Sequence, residues 1–235
     1  MVISDFHKEF KVRFDKTDSL NFPDFLPEEI DTFLNIEIER FINQRMYGTN
    51  PKGEGVEETQ KRFDDILTLV TNANITPNPA TVNNKKNGNS ITLPSDYWHS
   101  LQEEAKISYA DCNGNIQTPT VPVYPVMHDE YNKIIRDPFN KPDETSVIRL
   151  GLSGTIEAIT GNGIALTNYI IRYVRKPAQV RYGSTYAVPI SPDVQCDLPE
   201  SVHKEIIQGA VLMALKNVEQ NSRVQTETVQ LATQE

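Results

Sequence analysis

The chain has 235 residues, a hydrophobic content of 38% and a mean hydropathy of −0.46, so it can form one large domain, or a domain with an insertion, with much polar surface. Its net charge of −9, from 32 acidic and 23 basic residues, disfavours a protein that grips nucleic-acid phosphates. No apolar run reaches the roughly 18 residues of a membrane span, and residues 1–10 lack the pattern of a signal peptide. Two distant cysteines, Cys112 and Cys196, indicate a reducing compartment rather than a disulfide framework.

A stripe of phenylalanines marks the first predicted helix, which begins at Ser4 and ends near Asp18. Phe6, Phe10 and Phe14 recur every four residues, so they lie on one face of a helix. Such a stripe belongs either to the core or to a contact with another subunit. We therefore take these three phenylalanines as candidate contact residues.

Three further helices follow from the same periodicity. They are predicted at residues 27–48, 56–72 and 197–220. The last is about six turns long, and we expect the other helices to pack on it. Its predicted buried positions are Val202, Ile206, Ile207, Ala210, Val211, Ala214, Leu215 and Val218, with His203, Lys204, Gln208, Lys216 and Glu219 mostly on the other side.

Between residues 73 and 196 the hydrophobic period shortens to two, which predicts a β-rich module. The predicted strands lie at residues 90–93, 105–109, 116–126, 147–150, 155–160 and 164–174, with a short helix at 127–136. The Asn113-Gly114 pair predicts a type I′ hairpin turn. Pro119, Pro122 and Pro125 cannot donate to a β-ladder, so the third of these segments is predicted to be an edge strand or an extended arm.

These elements predict an α+β fold in which a helical bundle carries an inserted antiparallel β-rich module. The bundle consists of residues 1–72 and 197–220, and the module of residues 73–196. Residues 221–235 are expected to form a polar C-terminal arm that cannot build a core alone. Its sizeable apolar groups, Val224, Val229 and Leu231, are further candidate contacts with another chain.

The spacing of reactive residues predicts no catalytic, cofactor-binding or metal-binding site, so we expect a protein that is not an enzyme. His128, Asp129 and Glu130 provide either metal ligands or the acidic start of a helix. Tyr97 and Trp98 either stack on a sugar or base or pack in a corner of the fold.

Five segments of the chain resemble structural proteins of tailed bacteriophages, in particular neck and tail-ring proteins of crAss-like phages that infect Bacteroidota. The segments are residues 10–48, 91–98 (ITLPSDYW), 128–142 (HDEYNKIIRDPFNKP), 170–180 (IIRYVRKPAQV) and 198–220. Together they cover well over half of the chain, and their order is more specific than any one of them.

The resemblance implies a structural virion protein that forms a multimeric ring in the head-to-tail connector and bridges portal and tail around the DNA channel. It implies a homo-oligomer of about twelve copies, in contact with the portal protein or with adjacent neck or tail rings. DNA would pass through the lumen without specific binding, no membrane would be involved, and assembly would take place in the host cytoplasm. The alternative function is a tail-associated glycan- or receptor-binding module that uses Tyr97, Trp98 and Tyr109.

Overall fold

The computed structural model describes residues 1–14, 25–47, 60–79, 87–183 and 192–217. The helices are α1 (Ile3–Phe14), α2 (Pro27–Tyr47), α3 (Gln60–Ile66), α4 (Tyr131–Arg136) and α5 (Glu200–Asn217). The strands are β1 (Val70–Ile75), β2 (Gly88–Thr92), β3 (Tyr97–Ala110), β4 (Ile116–Gln117), β5 (Thr120–Pro125), β6 (Val147–Leu152), β7 (Thr155–Ile159) and β8 (Ala165–Arg175). The fold class is therefore α+β, as predicted.

The chain divides into two compact units. The helical unit consists of Met1–Leu69 and Pro177–Glu235, and the sheet unit consists of Val70–Lys176. In the helical unit α5 contacts α1 and α2, and α2 also contacts α1 and α3. In the sheet unit the strands surround one apolar core, and α4 lies outside it against a second, smaller cluster.

Helix α5 is buried around most of its circumference. All the predicted buried positions between Val202 and Leu215 are buried, while Val218 lies outside the described residues. The prediction that His203 and Gln208 face away from the core is wrong, because both are buried. A helix enclosed on several sides has no wholly polar face, and the His203 ring packs on Phe6 with its Nε2 atom 2.9 Å from the carbonyl oxygen of Leu198.

The start of α2 follows the sequence closely. Pro27 occupies the first turn, where a missing N–H costs nothing. The Glu29 side chain reaches back and accepts a hydrogen bond of 2.8 Å from the backbone N–H of Leu26. The end predicted for this helix at Gly48, like the end of the first helix near Asp18, lies outside the described residues.

The third predicted helix is wrong at its C-terminal end. Helix α3 stops at Ile66, a 3-10 turn covers Leu67–Leu69, and Val70 already begins β1. Strand β1 pairs antiparallel with β8, for example Asn72 with Arg172. This pairing joins residues far apart in sequence, so local periodicity does not reveal it.

The sheet curls in the strand order β1-β8-β3-β5-β6-β7-β2, with β4 attached to β3. Beyond β1, the backbone of Asn78 exchanges two hydrogen bonds with Ser90 of β2, of 2.8 and 2.7 Å, so the two ends of the sheet meet at this point. The prolines on either side of Asn78 cannot donate further ladder bonds. The enclosed core receives side chains from both ends of the strand order, including Ile91 of β2 and Ile171 of β8.

Strand β5 is not the predicted edge strand, and the sheet is not wholly antiparallel. The first half of β5 pairs antiparallel with β3, and its second half pairs parallel with β6. Each half has a ladder partner on one side only, so the missing N–H of Pro122 or Pro125 can face the unpaired side. A parallel pair needs a crossover connection, and α4 lies within the one that joins β5 to β6.

The β3–β4 hairpin turn is present, but it is not type I′. Of the central pair, only Gly114 has a positive φ, of 81°. The Gly114 N–H donates to the carbonyl oxygen of Asp111, and the Asp111 N–H donates to the carbonyl oxygen of Asn115, each over 2.9 Å. This is the three-residue loop that ends in a left-handed glycine. The Asp111 carboxylate favours it by accepting hydrogen bonds from the N–H groups of Asn113 and Asn115.

Candidate functional site

The predicted phenylalanine stripe lies largely inside the helical unit. Phe6 and Phe10 are fully buried and Phe14 is half-buried. The Phe10 ring packs on Phe25 and Phe33, at centroid distances of 5.9 and 6.4 Å. Most of the stripe is therefore core, and its contact with another subunit stays a prediction. Val224, Val229 and Leu231 lie outside the described residues.

A buried arginine joins three helices of the same unit. Arg45 of α2 donates from Nε to Asp65 of α3 over 3.1 Å and from Nη2 to both oxygens of Glu205 of α5 over 2.8 and 3.0 Å. Its guanidinium carbon lies 4.5 Å from the centre of the Phe41 ring. Burial raises the pKa of Asp65 despite the neighbouring Arg45. Arg45 lies in the last turn of α2, where a positive charge favours the end of a helix, and its contacts also make it a link between helices.

A second buried carboxylate lies between α2 and α5. Glu37 is 2% exposed, and Arg40 donates to its two oxygens over 2.8 and 2.6 Å. Burial raises the pKa of Glu37 in spite of this pair. A Cβ atom on Gly209 would lie 2.0 Å from Oε1 of Glu37. Glycine at this position therefore lets the carboxylate pack directly against the backbone of α5.

Side chains of α2 also fasten an extended segment of the helical unit. Asn35 both donates to the carbonyl oxygen of Val180, over 3.0 Å, and accepts from its N–H, over 2.8 Å. Asp31 accepts from the Tyr182 N–H over 3.0 Å and lies 2.8 Å from Nε2 of His7. These groups line a polar cleft of about 530 Å³. Because the side chains satisfy this backbone, they also reduce its capacity to pair with another strand.

The core of the sheet unit contains one charged network. Glu103 of β3 accepts hydrogen bonds of 2.5 Å from the Tyr169 hydroxyl and from Ser100, and forms an ion pair with Arg149 of β6. Burial is the main cause that raises the pKa of Tyr169, and the negative charge of Glu103 raises it further. The tyrosine therefore stays protonated and donates. Because Arg149 and Tyr169 stand on strands from opposite halves of the curled sheet, the network joins the two halves.

The aromatic and histidine residues singled out in the sequence make local contacts. Tyr97 packs on Tyr173 at a centroid distance of 5.6 Å, and Trp98 stacks on His99 at 4.7 Å. His128 donates from Nε2 to the carbonyl oxygen of Gly151 over 2.8 Å. Glu130 is the residue that precedes α4, and its side chain forms no capping hydrogen bond.

A groove on the outer face of the sheet unit carries exposed apolar side chains. Its floor is the parallel β5–β6 pair with Tyr124, Val126 and Ile148, and one wall is α4 with Ile134. Residues that follow α4 form the other wall, and the groove encloses about 620 Å³. On the far side of α4, Tyr131 and Ile135 pack on the sheet and help to fix the helix.

Phe139 stands at the rim of this groove and is 94% exposed. Its backbone N–H donates to Oδ1 of Asp137 over 3.0 Å, and the Asn140 side chain donates to Oδ2 over 2.6 Å. These hydrogen bonds hold the pKa of Asp137 below its usual value, so the turn keeps its charged cap at neutral pH. The chain thus presents a large apolar ring to solvent on a turn with defined geometry.

The sequence analysis missed Phe139, although a local signal was present. Asp137-Pro138 is a strong turn start, and it places the phenylalanine near the tip of the turn. A large apolar residue at a turn tip cannot reach the core of its own element. Such a residue is therefore a sequence-level indication of a contact with another molecule.

In the described parts of the chain, no group of three or more His, Cys, Asp or Glu side chains is arranged to hold a metal ion. No helix there is long and apolar enough to cross a bilayer. The polar groups described above hold helices and strands together.

Comparison with known proteins identifies the class. A family model described as phage tail ring protein 3/4 matches residues 1–226. The chain is 23% identical to ring protein 4/5 of Bacteroides phage crAss001 over 228 residues, which cover 91% of this chain and 92% of that protein. It is 24% identical to ring protein 3 of the same phage over 198 residues, covering 80% of this chain and 83% of that one.

The chain therefore belongs to the phage tail ring protein 3/4 family. It is a crAss-like phage ring protein, which makes it a structural protein of a virion. The resemblance drawn from the sequence is confirmed.

Proposed function

We propose that this chain forms a multimeric ring in the head-to-tail connector of a tailed phage, where it bridges portal and tail around the DNA channel. The observation that carries the proposal is the family match over residues 1–226, together with relatives that are both named ring proteins of one virion. The ring is a homo-oligomer of about twelve copies. Its neighbours are the portal protein or adjacent neck and tail rings.

The composition of the chain supports a channel that does not hold DNA. A net charge of −9 repels phosphate, so DNA slides past without specific contacts. A lumen lined with lysine and arginine in an assembled ring would contradict this part of the proposal. The ring assembles in the host cytoplasm and stays in the virion.

The internal contacts of each unit support a rigid ring subunit. Arg45 holds three helices together, and Glu103 joins the two halves of the sheet. In a ring, each subunit presents two different surfaces to its neighbours, and the contact closes after a fixed number of copies. Rigid subunits keep that angle constant. The helical unit acts as a bundle, with the β-rich module inserted in it.

The C-terminal arm, residues 221–235, provides a means of linking copies. Its apolar residues Val224, Val229 and Leu231 dock on a neighbouring subunit. Of the phenylalanine stripe, Phe14 is the member with exposed surface left for such a contact. The glycan-binding alternative gains no support from Tyr97 and Trp98, because both rings pack within the chain.

Mass and shape measurements test the proposal. The full chain is examined by light scattering and negative-stain microscopy, alone and with the portal and ring proteins of the same phage. A chain that ends at Gln220 is compared in parallel. We expect rings, or complexes with those partners, from the full chain and a loss of assembly from the shortened one. A chain that remains monomeric with every one of these partners would contradict the connector function.

A further inference from the structure

We propose that the groove between β5, β6 and α4 receives the C-terminal segment, residues 218–235, of a second copy of this chain. The inference rests on the proposed function, because it requires copies that lie side by side. It adds the receiving surface, for which no candidate was evident in the sequence. The interaction joins an extended peptide to a preformed apolar groove.

The groove has the shape and chemistry that an apolar peptide needs. Tyr124 on the floor and Phe139 at the rim are its exposed aromatic rings, and Val126, Ile134 and Ile148 also line it. Its volume of about 620 Å³ lies within the range typical of ligand pockets. Two of the carboxylates around it are already engaged: Asp137 with Phe139 and Asn140, and Asp143 with Thr145.

Phe139 is organised for binding before any partner arrives. Its turn is fixed by the two hydrogen bonds to the Asp137 side chain and by a backbone bond of 3.1 Å from Lys141 to Asp137. Binding therefore costs little conformational entropy in this backbone, and it removes the apolar ring from water. Aromatic side chains presented in this way are typical of the residues that dominate a contact.

The C-terminal segment has a matching pattern. Val229 and Leu231 are two residues apart, so in an extended chain both side chains point to one side, roughly 6.6 Å apart. Thr228 and Gln230 then point to the opposite side. One apolar side enters the groove, while the polar side faces solvent or forms hydrogen bonds at the rim.

The segment is also long enough to leave its own copy. Fully extended, residues 218–235 span at most about 60 Å. A compact unit as long as the sheet unit, Val70–Lys176, has a radius of gyration of about 13 Å, which corresponds to a diameter of about 34 Å. The segment can therefore cross to the groove of an adjacent subunit.

A peptide-binding experiment tests the groove. The full chain is titrated with a synthetic peptide of residues 218–235, followed by fluorescence anisotropy and hydrogen exchange. We expect slower exchange at Val123–Val126 and Ile134–Asn140, and at least tenfold weaker binding to a Phe139→Ser chain. A peptide with Leu231→Asp should also bind at least tenfold more weakly. The matched control is Ile116→Ser, at a 74% exposed apolar residue elsewhere on the sheet unit, which should bind like the natural chain.

A mixing experiment establishes that the occupant comes from a second copy. A Phe139→Ser chain keeps its segment but loses its groove, whereas a Leu231→Asp chain keeps its groove but loses its segment. Each alone should remain monomeric, and the mixture should form a complex of one copy of each. Equal peptide binding by the natural and Phe139→Ser chains, or protection of a different surface, would overturn the inference.

Two further results separate this inference from the proposed function. If the mixture stays monomeric while the peptide binds the groove, the segment occupies its own subunit and the second-copy inference is wrong. If the peptide binds and the mixture pairs, but the natural chain forms no ring with any neighbour, the groove contact holds and the connector function fails.

Discussion

Phe10 of the helical unit and Phe139 of the sheet unit have opposite environments. Phe10 repeats at helical spacing with Phe6 and Phe14, and it is fully buried on α1. Phe139 stands alone on a turn, and it is 94% exposed. An aromatic residue within a periodic stripe thus packs in its own fold, whereas one isolated at a turn tip is available to a partner.

The largest expected effect on stability is at Phe10, the buried residue of this pair. Phe10→Asp places a charge in the core and removes an aromatic ring, so we expect a loss of about 4 kcal/mol or more of unfolding free energy. Urea denaturation followed by circular dichroism measures the loss. Val12→Asp is the control, because Val12 lies on the same helix and is 58% exposed. A folded Phe10→Asp chain that merely fails to assemble would show that Phe10 is a contact residue after all.

The next effect tests the buried arginine of the helical unit. Arg45→Met leaves the carboxylates of Asp65 and Glu205 without their shared cation, and the expected cost is about 3–5 kcal/mol. Arg13→Met serves as the control, because the side chains of Arg13 and Glu9 are 31% and 36% exposed and their ion pair is expected to contribute less than about 1 kcal/mol after solvent screening. Equal effects of the two substitutions in urea unfolding would contradict the linking role of Arg45.

A smaller effect depends on pH. Burial raises the pKa of Glu37 in the folded chain, so the folded state binds this proton more tightly than the unfolded state. The stability that this carboxyl contributes is therefore present at pH values below 4.5, its pKa in the unfolded chain. It is lost as the pH rises through the pKa of the folded chain.

Glu37→Gln removes that titration and keeps the shape of the side chain. Between pH 4 and pH 7, the unfolding free energy of the Gln variant should rise relative to that of the natural chain. The measurement is a pair of urea titrations at each pH. A difference between the two chains that does not change with pH would show that burial does not control this carboxyl.

Local pattern predicted the helices of the fold and missed the pairings of its sheet. The stripes of α2 and α5, and the Pro27 start, lie within single elements, so periodicity and capping were sufficient. The first half of strand β1, residues 70–72, is helical in the sequence-based prediction because the partner strand β8 lies far along the chain. Strand β5 was taken for an edge because its prolines do not reveal that each half pairs on a different side.

The candidate site, like the sheet, depends on contacts between distant parts of the chain that local pattern does not reveal. The five quoted segments and their order led to the correct family through their resemblance to known ring proteins. The sequence alone directed attention to the Phe6, Phe10 and Phe14 stripe, since it is the most regular apolar feature. Exposure is a property of the whole fold, so the prominence of Phe139 became evident only once α4 and the β5–β6 pair were in place.

The most direct test of the account compares the mass of the natural chain with that of Phe139→Ser by sedimentation, each alone and with the neighbouring virion proteins. The account predicts that the natural chain assembles. It predicts that Phe139→Ser is monomeric while its unfolding free energy stays within about 0.5 kcal/mol of the natural value. A Phe139→Ser chain that assembles like the natural one would contradict it.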